Sequence, residues 1–352
     1  MRVAYVYPGS RAALTAEIAA RRAPDTDLLG QNHLSSLGFE SWIHEPRLRP
    51  PRSEEPSLVH RLAWNGREVL LPFELRSADA VVSPLANLLP LTMRATRAPR
   101  VVLFDWALGT TLRRVGRFRR RLLVASARAA AVVACPSEAQ RQTLVDAVGL
   151  DPRRVVVLEL GADAEFFAPA PEAPSDYVVA VGKDLARDYG TLFEAARRGG
   201  FRTIVVSYTR NVAGLRAPDT VELRQGLSWS ELRKLIAGAA VSVLPLHDPA
   251  RMRGTDASGL TALLESMASG KAIVATRRPA LESYIDDGRT GILVPHEDPE
   301  ALAGAITGLL ADDAARADLG RAARMEVDAR LNTRAVAART AVILRSAIAR
   351  YA

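Results

Sequence analysis

The sequence is poor in several residue types that are typical of particular protein classes. Only one of its 352 residues is cysteine, Cys135, so no disulfide can form within the chain, and we expect a reducing, cytoplasmic compartment. Aromatic residues make up 5% of the chain, too few for the base-stacking surfaces of nucleic-acid-binding proteins. No window approaches the ~20 apolar residues that a membrane-spanning helix needs. The apolar stretch at residues 1–9 is too short for a signal peptide, and we expect it to form a first strand.

Lysine is also scarce. The sequence has 44 arginines and 3 lysines against 39 acidic residues, which gives a net charge of +8. We attribute this skew to codon composition, although an excess of positive charge also favours anionic ligands such as phosphates and acidic lipid headgroups.

Short apolar runs bounded by turn residues alternate with helical patterns, which predicts parallel sheets with helices on both faces. The predicted strands of the first half are residues 2–7, 40–44, 80–83, 100–104, 132–135 and 155–159. Those of the second half are residues 177–181, 203–207, 221–224, 241–245, 272–276 and 291–294. Helices are clearest at residues 229–237, 259–269, 299–311 and 333–352.

The Pro-rich stretch at residues 168–174 is the natural linker between the two halves. We therefore predict an N-terminal domain at 1–168, a C-terminal domain at 169–335 and a last helix at 336–352 that returns to the N-terminal domain. Two doubly wound α/β domains leave a cleft at the carboxyl ends of their strands, where such folds bind ligands.

The strongest functional pattern lies between residues 254 and 298. A loop of small residues, 254–259, leads into a helix whose N-terminus offers free backbone N–H groups to a phosphate. Glu265 lies two turns into this apolar helix, where a carboxylate costs stability unless it has a specific partner. The two hydroxyl groups of a ribose would suit it. The alternative is an ordinary helix with a stray glutamate.

A second pattern follows the strand predicted at residues 177–181. Gly182 permits close approach of the backbone to a ligand, and Lys183 and Arg187 are two cations, four residues apart, that could bind both phosphates of a nucleoside diphosphate. The alternative is a surface loop in which Arg187 and Asp188 form an ion pair worth ~0–1 kcal/mol.

These motifs resemble those of the retaining glycosyltransferases of family 4, also described as glycosyl transferases group 1. The likeness is close at residues 263–271 and 287–295 and covers roughly residues 130–310. It implies the GT-B fold of two facing Rossmann-like domains, a nucleotide sugar as donor and no need for a metal. It also implies that Glu265 holds the donor ribose, and that Lys183 and Arg187 hold the diphosphate.

The sequence departs from the family at the glutamate that contacts the donor sugar, because that position is Ala257. Asp256, one residue earlier, is the candidate to replace it, and Ser258 and Thr261 add hydroxyl groups near the phosphates. The residues that we predict to bind the nucleotide sugar are Pro8, Gly9, Gly182, Ser258, Gly259, Leu260, Thr261 and Glu265.

Asp105 follows a strand at a place where family members often have a histidine facing the transferred sugar. It is either an acceptor-orienting, base-like carboxylate or a turn-forming residue. Pro8 and Gly9, after the first strand, are expected to face the cleft. We expect no metal site, since the histidines are scattered and the Asp-x-Asp at residues 25–27 is expected to lie in a loop. The histidines are His33, His44, His60, His247 and His296.

Six arginines fall within the nine residues from Arg113 to Arg121, and the chain then turns apolar. Such a basic amphipathic segment can dock on an anionic membrane, as enzymes with lipid-linked acceptors require. The alternative is a solvated helix face.

The function predicted is a cytoplasmic hexosyltransferase, peripheral on the inner face of the membrane if the basic segment docks there. It would act on a glycan, lipid-linked or small-molecule acceptor without cofactor. The candidate catalytic residues are Lys183, Arg187, Asp256 and Asp105. Two alternatives stay open. The scarcity of histidine counts against a nucleotide-sugar 2-epimerase of the same fold, whereas Ala257 favours a non-catalytic nucleotide-sugar-binding protein.

Overall fold

The computed structural model describes residues 1–45, 70–84, 87–97, 99–170, 176–251 and 254–349. The chain forms two compact units, each discontinuous in sequence. The first comprises Met1–Ala13, Gly30–Leu158 and Ala337–Ala352, and the second comprises Leu14–Leu29 and Glu159–Val336.

The first unit contains a parallel six-stranded sheet in the order β2-β1-β3-β4-β5-β6. Strands β3 and β5 are buried along their whole length, as expected when helices cover both faces of a parallel sheet. The strands are β1 (Arg2–Tyr5), β2 (Glu40–Ile43), β3 (Ala80–Ser83), β4 (Arg100–Phe104), β5 (Val132–Cys135) and β6 (Val155–Val157).

The second unit contains a parallel sheet in the order β12-β11-β10-β7-β8-β9. The strand order reverses between β7 and β10, and this is the topological switch point at which doubly wound folds bind ligands. The strands are β7 (Val178–Val181), β8 (Thr203–Val206), β9 (Val221–Arg224), β10 (Val241–Leu244), β11 (Ala272–Thr276) and β12 (Ile292–Val294).

The α-helices are α1 (Ala12–Ala19), α2 (Leu89–Ala95), α3 (Leu108–Arg114), α4 (Arg117–Ala129), α5 (Glu138–Gln142), α6 (Tyr189–Gly199), α7 (Thr209–Val212), α8 (Trp229–Gly238), α9 (Leu260–Ala268), α10 (Pro299–Ala311), α11 (Asp313–Ala329) and α12 (Thr333–Ala349). Three 3-10 turns lie at Thr26–Leu28, Gln31–Leu37 and Pro249–Arg251, and Thr143–Ala147 forms a π-turn. No helix within the described ranges is both long and apolar enough to cross a membrane.

The twelve strands predicted from the sequence are all present, and their ends agree to within two residues. Residues 25–27, expected to lie in a loop, enter a 3-10 turn at Thr26–Leu28. The Asp25 N–H donates a hydrogen bond to the Asp163 carboxylate, and the Thr26 hydroxyl accepts one from the Asp163 N–H. The basic segment forms two helices, since the chain is extended at Val115 and Gly116. Residues 171–174 of the predicted linker and 350–352 of the predicted last helix lie outside the described residues.

Candidate functional site

The candidate site lies in the second unit, at the carboxyl ends of β7, β10 and β11. The loop after β7 is held by two side-chain hydrogen bonds, because the carbonyl oxygen of Gly182 accepts hydrogen bonds from the hydroxyls of Tyr189 (2.7 Å) and Ser207 (2.6 Å). The same loop is tied to the loop after β10, where the Asp188 N–H donates to the carbonyl of Pro245 at 3.0 Å. These contacts hold the switch point in one conformation.

Arg187 is the central cation of this site. It is only 5% exposed, and its guanidinium lies against Gly182, where an added Cβ would come within 1.7 Å of Nε, and against Gly259. Nε is 3.3 Å from a carboxylate oxygen of Asp184, but neither Nε nor Nη1 donates a hydrogen bond to any residue in the described part of the chain. A buried guanidinium with unused donors is the feature expected where an anion binds.

The loop before α9 brings its N-terminus to Arg187. Gly259 has φ 92° and lies at the N-cap of α9, and an added Cβ would be 3.2 Å from Arg187 Nη1. Ser258 Oγ accepts a hydrogen bond from the Thr255 N–H at 2.8 Å, so its hydroxyl closes the turn. The side chain of Leu260 is fully buried in the core. Leu260 can therefore contact a ligand only through its backbone.

Thr261 and Asp256 border the same loop. Thr261 is exposed on the first turn of α9, and Asp256 is partly exposed beside Ala257. The negative charge of Asp256 acts to raise the pKa of the buried Arg278.

Glu265 is 3% exposed and projects from α9, which packs on the core of the unit through Leu263, Leu264 and Met267. Burial raises the pKa of Glu265 to about 8, and the negative charge of Asp27 contributes to the rise. The positive charges of Arg187 and Lys183 act in the opposite direction. A buried carboxyl without a hydrogen bond from a described residue is suited to accept hydrogen bonds from ligand hydroxyls.

Lys183 differs from Arg187 in its surroundings. It is exposed, and its Nζ lies 5.3 Å from the ring centroid of Tyr208, which follows β8. Tyr208 is itself 42% exposed. The structure thus places only one of the two predicted phosphate-binding cations in the buried part of the site.

Two residues near the site are not predicted from the sequence. Arg278 is the second residue after β11, is 7% exposed and has an Nη1 without a hydrogen-bond partner among the described residues. Asp27 belongs to the 3-10 turn at Thr26–Leu28 in the second unit, and its negative charge helps to raise the pKa of Glu265. The position of Arg278 just after a predicted strand is the signal that could have identified it.

One group of described residues has ligand atoms spaced for a metal ion. The side chains of Asp188, His247 and Glu297 offer atoms within 4.8 Å of one another, so this one histidine lies close to two carboxylates. Two of these groups have other partners, because Asp188 caps α6 through Thr191, and Glu297 pairs with Arg251. His60 lies outside the described residues.

The remaining candidates lie in the first unit. Asp105 is fully buried after β4, and its carboxylate accepts hydrogen bonds from the Leu108 N–H (2.9 Å) and from the side chain of Gln140 (2.7 Å). These are the contacts of a residue that fixes a turn, the second of the two roles expected for it. Pro8 and Gly9 are partly exposed in a bend after β1.

Residues 194–312 match the family model for glycosyl transferases group 1. A D-inositol 3-phosphate glycosyltransferase from Kineococcus radiotolerans is 30% identical over 53% of this chain and 51% of its own length. An alpha-maltose-1-phosphate synthase from Mycolicibacterium smegmatis is 28% identical over 55% and 57%, respectively. The chain thus spans about half the length of these curated relatives.

Two solved structures have the same fold over nearly the whole chain. A sucrose-phosphate synthase from Thermosynechococcus elongatus has a TM-score of 0.78 at 18% identity, covering 99% of this chain and 100% of that one. Anabaena Alr3699/HepE, solved in complex with UDP and glucose, has a TM-score of 0.70 at 14% identity, covering 98% and 100%. Residues 194–312 thus resemble the glycosyl transferases group 1, and the chain shares the GT-B fold of these solved structures.

Proposed function

We propose that this protein is a retaining, metal-independent glycosyltransferase that moves a hexosyl group from a nucleoside-diphosphate sugar to an acceptor. The observation that carries the proposal is the arrangement around Arg187. A buried guanidinium with unused donors lies against the N-terminus of α9, and both features favour a diphosphate at the same place. Glu265, farther along the same helix, would accept hydrogen bonds from the hydroxyl groups of the donor ribose.

The chemistry expected of such a site is mainly electrostatic. When the bond between the sugar and the diphosphate breaks, negative charge develops on the leaving phosphate. Arg187 and the helix N-terminus are in place before the reaction, so they stabilise that charge without reorganising. Because Asp256 lies beside Ala257 in the loop of the site, we propose that Asp256 binds the hydroxyl groups of the transferred sugar.

The names of the matched proteins suggest where to begin with substrates. HepE was solved with UDP, and the names of the other three each contain a phosphate ester: D-inositol 3-phosphate, maltose-1-phosphate and sucrose-phosphate. We therefore propose UDP-glucose as the first donor to test, and a sugar or polyol phosphate as the first class of small-molecule acceptor. Glycan and lipid-linked acceptors remain part of the proposal.

The test is to incubate the full chain with radiolabelled UDP-, GDP- and ADP-hexoses, with and without these acceptors, and to separate the products. We expect transfer to an acceptor, or slow hydrolysis without one, with the anomeric configuration retained. Arg187→Gln should lower the rate at least a hundredfold, since one preorganised charge contact is lost from the transition state. Arg198→Gln, an exposed arginine on α6, is the matched control and should leave the rate unchanged.

The alternatives give different products. A C2 epimer of the donor would show a 2-epimerase, and saturable binding without turnover would show a nucleotide-sugar-binding protein, the reading that Ala257 favours. Absence of binding to any of the nucleotide sugars would overturn the proposal in all its forms.

We further propose that the enzyme is cytoplasmic and docks on the inner face of the membrane through α3 and α4. The six arginines between Arg113 and Arg121 are exposed, and Phe118 among them is 77% exposed. Cations beside an exposed aromatic ring are suited to an anionic lipid interface.

Flotation with vesicles tests this docking. We expect binding to phosphatidylglycerol vesicles. This binding should be lost in about 1 M salt, where the Debye length falls to ~3 Å, and should be absent with phosphatidylcholine alone. Phe118→Ala should weaken it, whereas Met325→Ala, which removes a side chain 70% exposed on α11, should not. Equal binding to both lipids, or none, would contradict the proposal.

A further inference from the structure

Arg278 is a buried cation that has no assigned role. It is the second residue after β11, is 7% exposed, and forms no ion pair with a residue of the described ranges. Its neighbour Arg277 has the same chemistry in a different setting, since its side chain is half exposed and pairs with Asp287 and, at 3.7 Å, with Glu282. Burial without a partner is costly for a guanidinium, so Arg278 requires an explanation that Arg277 does not.

The surroundings of Arg278 connect it with the candidate site. Burial lowers the pKa of Arg278; Asp184 and Asp256 raise it, and the positive charge of Arg187 lowers it further. Asp184 is also the carboxylate nearest to Arg187 Nε. The two buried arginines therefore share one acidic neighbour and lie close enough to repel each other. An anion between them would remove that repulsion.

The sheet topology accounts for this pairing. Strands β7 and β11 lie on either side of β10 in the sheet, about 10 Å apart. Arg187 follows the first of these strands and Arg278 the second, so the two side chains start from opposite sides of the switch point. Arg187 contacts the N-terminus of α9, the helix that carries Glu265. The pKa of Arg278, by contrast, is raised by the negative charge of Asp256, at the proposed sugar end of the site.

We propose that Arg278 binds the phosphate group distal to the nucleoside, so that Arg187 and Arg278 together bind the two phosphates of a nucleoside diphosphate. This inference rests on the proposed function and assigns the second phosphate contact to Arg278 instead of the exposed Lys183. Two planar guanidinium groups approaching from different strands match the oxygens of a diphosphate better than one arginine and a solvated ammonium group.

The test compares the affinities of a diphosphate and a monophosphate by isothermal titration calorimetry with the full chain. UDP and UMP are the first pair, replaced by GDP and GMP or ADP and AMP if the wild-type protein prefers that base. We expect Arg278→Gln to weaken UDP binding at least tenfold and UMP binding less than threefold, because UMP lacks the distal phosphate. Arg277→Gln is the matched control, and both it and Lys183→Gln should change the UDP-to-UMP ratio less than threefold.

An unchanged UDP-to-UMP ratio in Arg278→Gln would overturn the inference, as would equal losses for both nucleotides, which a merely structural role would produce. If Arg278→Gln does not fold, Arg278→Lys provides the same comparison, since it keeps the charge but not the planar pair of donors. We then expect UDP binding to weaken more than UMP binding, but by less than the tenfold loss expected for Arg278→Gln. A wild-type protein that binds none of these diphosphates would instead refute the proposed function.

Discussion

Replacing Glu265 by glutamine removes a titrating group from the interior of the second unit and keeps its size and shape. In the folded protein the pKa of Glu265 is raised by burial to about 8, whereas its ordinary value is 4.5. Between these two pH values the unfolded chain is ionised at this residue and the folded chain is protonated. The folded state binds the extra proton, so its stability must fall as the pH rises through this interval.

The size of the effect follows from the same two values. Each pH unit between 4.5 and about 8 costs the folded protein ~1.4 kcal/mol. Over the whole interval the loss is about 5 kcal/mol, a large share of the ~5–15 kcal/mol that stabilises a typical protein. Glu265→Gln cannot ionise, and its free energy of unfolding should lack this component.

The assay is urea-induced unfolding, followed by circular dichroism, of wild type and Glu265→Gln at pH 5, 6, 7 and 8. Taking the difference between the two proteins cancels the contribution of every other titrating group. We expect the difference to move in favour of the variant by ~1.4 kcal/mol per pH unit. Glu300→Gln, an exposed glutamate at the start of α10, is the control and should follow wild type. If wild type and Glu265→Gln run parallel from pH 5 to 8, the assignment of a buried, protonated Glu265 is wrong.

Three further predictions concern the site and its support. Gly182→Ala places a Cβ within 1.7 Å of Arg187 Nε, so it should weaken UDP binding as strongly as Arg187→Gln does; calorimetry giving wild-type affinity would refute the contact. Gly320→Ala places a Cβ 2.2 Å from the carbonyl oxygen of Gly270 and should cost about 1–3 kcal/mol in urea unfolding, whereas Gly304→Ala, in open space on α10, should gain up to ~1 kcal/mol; the same sign for both would contradict the packing argument. EDTA should leave the transferase rate unchanged, and a loss of activity that Mn²⁺ restores would show that the proposed metal independence is wrong.

Most strands of both sheets were predictable because they are short runs rich in valine, isoleucine and alanine between turn residues, and such runs suit strands buried on both faces. The edge strands β2 and β9 are more polar and more exposed. The exact ends of the strands were not predictable, since the apolar run in the sequence continues for a residue or two after the strand ends, as at Tyr7 and Pro245. The break at Val115 and Gly116 was also missed, because arginines on both sides conceal it in a pattern of charge.

For the candidate site, local sequence patterns were enough to predict residues that lie close together in the chain as well as in the site. Gly182 with Arg187, and Gly259 with Glu265, lie within single strand-loop-helix units, so their spacing predicts that they approach one ligand. Arg278 is one of 44 arginines, and only its burial after β11 distinguishes it. Asp27 is separated from Glu265 by most of the chain, and no local pattern connects them.

The discontinuity of the second unit has a practical consequence for dissecting the protein. A fragment that begins at Glu159 and ends at Val336 would contain the loops after β7 and β10 but would lack Leu14–Leu29, which belongs to the same unit. Asp163 would lose its contacts with Asp25 and Thr26, and Glu265 would lose the nearby charge of Asp27. A fragment that joins the 14–29 segment to residue 159 through a short linker is the smaller version of this unit that preserves its interior.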